Sequence, residues 1–129
     1  KEVKNSKNRF ELDGNVANIS NVYTNQNGKK ILRFDLAQNN NGNTQYVPIV
    51  LRGELVNSYG NEIQKGDWIS VKGRISTYQK DVERDGKTYK DKAIDILGFE
   101  ITDRKNNKVY TSDGDIRDLE EKSNSEMER

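Results

Sequence analysis

Five stretches of alternating apolar and polar residues, a single helix-spaced stretch between the third and fourth, and turn signals between the others predict an all-β protein. The order strand, strand, strand, helix, strand, strand is that of the OB-fold, a five-stranded Greek-key barrel with one short helix between strands three and four, although a partly open sandwich would show a similar pattern. The 129 residues leave room for one such domain. With 31% hydrophobic residues and a mean hydropathy of −1.07, its core is small.

Residues 1–9 are polar and are expected to be a flexible N-terminal segment; the barrel is expected over 10–110. The first strand starts where Phe10, Leu12 and Val16 alternate with Glu11, Asp13 and Asn15. Ile19 and Val22 continue it irregularly to a turn at Asn27-Gly28. The second strand, 29–38, turns Leu32, Phe34 and Leu36 inward and Ile31, Arg33 and Asp35 outward; a polar loop, 39–43, follows. The third, 44–53, gives Val47, Ile49 and Leu51 to the core and Tyr46, Pro48, Val50 and Arg52 to the other face. Pro48, with no N–H to donate, marks an edge or a bulge. Leu55, Val56, Tyr59 and Ile63 have helical spacing, and Gly60 interrupts that helix.

The hairpin at 66–97 organises the rest. Ile69, Val71, Gly73, Ile75 and Thr77 form a buried face against Ser70, Lys72, Arg74, Ser76 and Tyr78. Asp85-Gly86 makes the turn, and Tyr89, Ala93, Ile94 and Ile96 mark the return. Residues 108–110 read as a sixth strand pairing back on 97–102. Residues 111–129 read as an acidic tail, disordered in preference to a short helix capped by Asp113 and carrying Ile116 and Leu119.

The net charge of +1 divides unevenly. Residues 1–110 hold 19 Lys and Arg against 14 Asp and Glu, while 111–129 hold three against seven. A basic body with an acidic tail suits a polyanion partner. The chain has no cysteine and no histidine, which removes disulfides, thiolate zinc sites and the usual general base. No apolar run reaches the length of a membrane span and no signal peptide is visible, so a cytoplasmic location is expected. There is no phosphate-binding glycine loop, and Asp81, Glu83 and Asp85 lack the spacing of a calcium loop. No cofactor is expected. Glu11, Asp13, Asp35 and Arg33 are the candidates for a hydrolase site, should they converge.

Aromatic residues carry the stronger signal. Tyr46, Tyr78 and Tyr89 fall on outward parity of strands three, four and five, and Arg33, Arg52, Lys72 and Arg74 share it. Each tyrosine alone is explained as a strand former. Together with cations on one face, they are better explained as a surface on which bases stack and phosphates pair. Trp68 shares the parity but stands at the strand start, as a packing residue or a peripheral stack.

Several segments resemble the bacterial single-stranded DNA-binding proteins: GNV at 14–16, Asn27-Gly28, ILRFDLAQ at 31–38, YVPIVLRGELV at 46–56, and KGDWISVKGRIST at 65–77, the most specific, followed by DGKTY at 85–89. The resemblance covers about residues 8–102. It implies an OB-fold and non-enzymatic, sequence-tolerant binding and protection of single-stranded DNA in replication, recombination or repair. Tyr46 matches a family stacking position directly. Arg52 stands where many members have an aromatic, and Tyr78 lies two residues before another such position, here Lys80. The expected nucleic-acid-binding set is therefore Arg33, Tyr46, Arg52, Lys72, Arg74, Tyr78, Lys80 and Tyr89.

The departures suggest a diverged member, from a phage or other mobile element. The resemblance implies an acidic, apolar C-terminal tip that recruits partners such as replication proteins; the last residues given, Ser-Glu-Met-Glu-Arg, are acidic without that tip, so such recruitment is expected only if the sequence continues. Glu11 and Asp13 on the outer side of the first strand favour a monomer or dimer over the family's homotetramer. A primosome-type or RNA-binding OB module, and a metal-dependent OB-fold nuclease, stand as alternatives.

Overall fold

The computed structural model describes residues 4–119. Five long strands close a barrel: β1 (Phe10–Ala17), β3 (Lys30–Asn40), β4 (Asn43–Arg52), β5 (Trp68–Arg84) and β6 (Lys87–Asp103). β1 pairs with β3 and β5, β3 with β4, and β5 with β6, all antiparallel. The ring closes where β4 meets β6 in parallel at Val50 opposite Leu97. One helix, α1 (Glu54–Tyr59), lies between β4 and β5, as the OB-fold requires. β2 (Tyr23–Thr24) adds to β3, while β7 (Lys108–Thr111) and β8 (Ile116–Asp118) extend the sheet from β6. Among the described residues no helix is long and apolar enough to cross a membrane.

The alternation read from sequence builds the core. Val16, Leu32, Phe34, Leu36, Ile49, Leu51, Ile69, Val71 and Ile101 are buried together. Leu55, Val56 and Tyr59 of α1 plug one end of the barrel, and the Tyr59 ring packs 5.1 Å from that of Tyr110. Burying each such side chain contributes on the order of 1.5–3 kcal/mol. The helix stops at Gly60, earlier than its 54–64 apolar spacing suggested.

Gly73 marks the tightest crossing. A Cβ there would lie 1.7 Å from the carbonyl oxygen of Leu97, so no side chain fits. This is also where the β5–β6 register slips: Lys72 stands opposite Glu100 but Gly73 opposite Gly98, leaving Phe99 unpaired in a bulge.

Four expectations need correction. The loop at 39–43 is a two-residue turn, Asn41-Gly42, with φ of 51° and 87°, the mirror-image geometry that hairpins favour. Ile31 and Val50 have outward parity yet are buried, because the closing contact with Leu97 covers them in a second small cluster. Ile75 has inward parity but is 46% exposed, and Ile94 is 63% exposed. Here the β5–β6 hairpin runs past the barrel mouth and has no layer opposite it. The sheet also continues into the segment read as an acidic tail: Ile116–Asp118 is a strand, with Tyr110 opposite Ile116, not part of a helix capped by Asp113. The rest of that segment, from residue 120, lies outside the described residues. Residues 4–9 form no regular element, but the Asn8 amide bonds both backbone groups of Ile75, accepting at 3.0 Å and donating at 2.6 Å.

Candidate functional site

Beyond the bulge, β5 presents Arg74, Ser76, Tyr78 and Lys80 on one face, opposite Leu97, Asp95, Ala93 and Asp91 of β6. Beside them, across the β4–β6 closure on the outer face of the barrel, stand Ile31, Arg33, Val50 and Arg52 of the paired strands β3 and β4. Between the two lies a cavity of about 290 Å³, whose lining includes Tyr23, Arg33, Arg52, Ser76, Tyr78 and Asp95. Its floor is the Ile31–Val50–Leu97 cluster. The site therefore combines an apolar floor, two tyrosines and two guanidinium groups.

Arg33 is held in place. Its Nε donates to the Tyr23 hydroxyl at 3.4 Å, and one terminal nitrogen lies 3.5 Å from an Asp95 carboxylate oxygen. Partial burial alone would lower its pKa, but Tyr23 and Asp95 together outweigh that and hold the guanidinium above its ordinary range. Arg52 is exposed and, among the described residues, engaged by no carboxylate. Tyr78 is 42% exposed.

Of the eight residues singled out from sequence, Arg33, Arg52 and Tyr78 meet in this cavity. Lys80 lies two residues farther out on β5. Tyr89, opposite Val82, lies four residues from Ala93, about 13 Å along the hairpin. Tyr46 is exposed on β4, four residues before Val50 and again about 13 Å away. Tyr46, Tyr78 and Tyr89 thus do not share one pocket. Arg74 sits over the Phe99 ring, 5.6 Å from its centroid. Lys72 stands apart, between Glu11 on β1 and Glu100 on β6, and pairs with Glu100 at 3.8 Å.

Sequence pattern alone does not single out Tyr23 or Asp95. Tyr23 sits in an irregular stretch, and only its pairing with Ile31 brings it beside Arg33. Trp68 lies elsewhere, 49% exposed in a cavity shared with Glu11, Asp13 and Gln38. The four hydrolase candidates do not form one group: Asp13 accepts from the Ser70 hydroxyl, Asp35 from Asn18, and Arg33 faces the cleft. Among the described residues no cluster of three or more carboxylates could hold a metal ion.

The single-strand binding protein family model matches residues 7–99 of the chain. No curated protein matches its sequence. Among solved structures it is similar to Rim1, a mitochondrial single-stranded DNA binding protein from S. cerevisiae, with 19% sequence identity and a TM-score of 0.54. The match covers 74% of this chain and 92% of that one. At this identity the likeness speaks for the fold.

Proposed function

The chain belongs to the single-strand binding protein family, and on that premise we propose that it binds and protects single-stranded DNA with little regard to sequence. The family is one of non-enzymatic DNA-binding proteins. The observation that carries the proposal is the cleft over the β4–β6 closure, where Tyr23, Tyr78, Arg33 and Arg52 surround an apolar floor. Flat aromatic faces serve any base, and guanidinium groups serve any phosphate, so such a surface reads no sequence. Tyr46 at one end, and Lys80 and Tyr89 at the other, extend the proposed path.

In this reading the binding body runs from Phe10 through the strand Ile116–Asp118, residues 1–9 are a flanking segment, and the acidic excess is concentrated in residues 111–129. The reading extends to service in replication, recombination or repair, to a cytoplasmic location, and to exchange of the strand with replication proteins. Arg52 and Lys80 at family aromatic positions fit a diverged member such as a phage or plasmid would carry. The exposed Glu11 and Asp13 favour a monomer or dimer.

The test is fluorescence titration of the unmodified chain with oligo-dT, oligo-U and a DNA duplex of equal length. Quenching that saturates with oligo-dT and is far weaker with duplex is expected. Equal binding to duplex would contradict the proposal, and preference for oligo-U would move it to RNA.

A further inference from the structure

We infer that a second cavity, beyond the Val50–Leu97 ridge, takes a further nucleotide of the same strand, with its base stacked at Phe99. The inference rests on single-strand binding at the first cleft. The second cavity, about 400 Å³, shares Val50, Arg52 and Leu97 with the first, so the two adjoin along that ridge. Its other lining residues include Lys29, Glu54, Phe99 and Ser112.

The bulge is what creates it. Leu97 faces the cleft cluster and Ile101 faces the core, so β6 changes faces between them. Phe99 is the residue left over at that change. Its large apolar ring is 37% exposed at the cavity, where an ordinary core phenylalanine would be covered. The Arg74 guanidinium lies over the ring. An aromatic ring beside a stacked guanidinium offers a base its flat face and a phosphate its counter-charge. Lys29 and Arg52 add two cations that, among the described residues, no carboxylate engages. Glu54 opposes them in part but leaves the lining cations Lys29 and Arg52 in excess, with Arg74 over the Phe99 ring beside them. Charge and shape together select a nucleotide over an apolar peptide. In sequence Phe99 reads as one more apolar strand residue, and only the register slip reveals it.

The experiment measures anisotropy of labelled oligo-dT of increasing length with the unmodified chain, Phe99→Ala, Phe99→Tyr and Lys29→Ala. Phe99→Ala is expected to bind long oligomers roughly 10-fold more weakly while keeping its affinity for short ones that fill only the first cleft, and Phe99→Tyr to restore the loss. Lys29→Ala, which leaves the ring in place, should reduce the log–log salt slope by about 0.7 for long oligomers only. Unchanged affinity at every length for Phe99→Ala overturns the inference. So does equal weakening at every length with a lowered melting temperature, because Phe99 is then a packing residue. Should that variant fail to fold, photo-crosslinking of the unmodified chain to oligomers carrying 5-iodouracil decides: a crosslink at Phe99 supports the second site, and crosslinks confined to Tyr23, Tyr46, Tyr78 and Tyr89 refute it. An unmodified chain that binds no oligo-dT overturns the binding function itself, and the second site with it.

Discussion

Replacing Asp95 by Asn should tighten single-strand binding. Asp95 is the carboxylate inside the cleft, 3.5 Å from the Arg33 guanidinium, with the two side chains 16% and 45% exposed. At that distance, opposite unit charges attract by about 1 kcal/mol in bulk water and about 5 kcal/mol at an effective dielectric of 20. Pairs as open as this one contribute only about 0–1 kcal/mol to folding, so the melting temperature should barely move. Binding is different, because a phosphate taken up by Arg33 would sit ~7 Å from Asp95, where the repulsion is about 0.6 to 2.4 kcal/mol between the same two dielectric limits. With salt screening, a relief of ~1 kcal/mol is reasonable, or about fivefold in affinity. Anisotropy titration with oligo-dT at low salt measures it, with thermal melting as the folding control. A variant that folds normally but binds unchanged would mean that no phosphate enters the cleft. One that binds more weakly would mean that Arg33 depends on Asp95 for its placement more than the strand is repelled by it.

The other predictions concern stacking, the buried phenol and assembly. Tyr78→Ala should weaken oligo-dT binding by about 1–3 kcal/mol with little change in melting temperature; a lowered melting temperature with intact affinity would assign Tyr78 to packing. The Tyr59 hydroxyl is buried without a hydrogen-bond partner among the described residues, so Tyr59→Phe should leave stability to denaturant unchanged or raise it by ~1 kcal/mol. Burial, with Asp103 and Asp67 adding to it, pushes the Tyr59 pKa far above the ordinary tyrosine range. Its folded value exceeds its unfolded value of about 10, so its contribution is complete below pH ~10 and is lost as pH rises beyond it. The unmodified chain should therefore weaken in strong alkali more steeply than Tyr59→Phe, and parallel alkaline melts would contradict this. Light scattering without DNA should give a mass of one or two 14.8 kDa chains, and a stable fourfold mass would refute the assembly argument.

Much of the barrel was legible because period-two alternation is a direct consequence of a sheet with one buried face. Phe34, Ile49 and Val71 could be assigned to the core from their neighbours alone. The rule failed where a second layer appears or vanishes. Val50 is outward by parity and buried by the closing contact with Leu97, whereas Ile75 is inward by parity and exposed because the hairpin outruns the barrel. Neither event leaves a local signature. The site was legible to the same degree. Parity on three strands brought Arg33, Arg52 and Tyr78 together, since parity and strand order determine which faces meet. It could not show that Lys72, which shares the parity of Arg74, is flanked by Glu11 and Glu100 on neighbouring strands. Nor could it find Tyr23 or Phe99. One depends on a two-residue strand, the other on a single-residue register slip.

The central claim is that cations in the cleft over the β4–β6 closure hold the phosphates of a single strand. Its most direct test is the salt dependence of oligo-dT affinity for the unmodified chain and for a variant carrying Arg33→Ala and Arg52→Ala. Each phosphate contact should add roughly −0.7 to the log–log slope, so the double variant should be shallower by about 1.4. A steep slope that the two substitutions flatten by that amount is the predicted result; an unmodified chain whose affinity does not change with salt, or a double variant with an unaltered slope, would contradict the account.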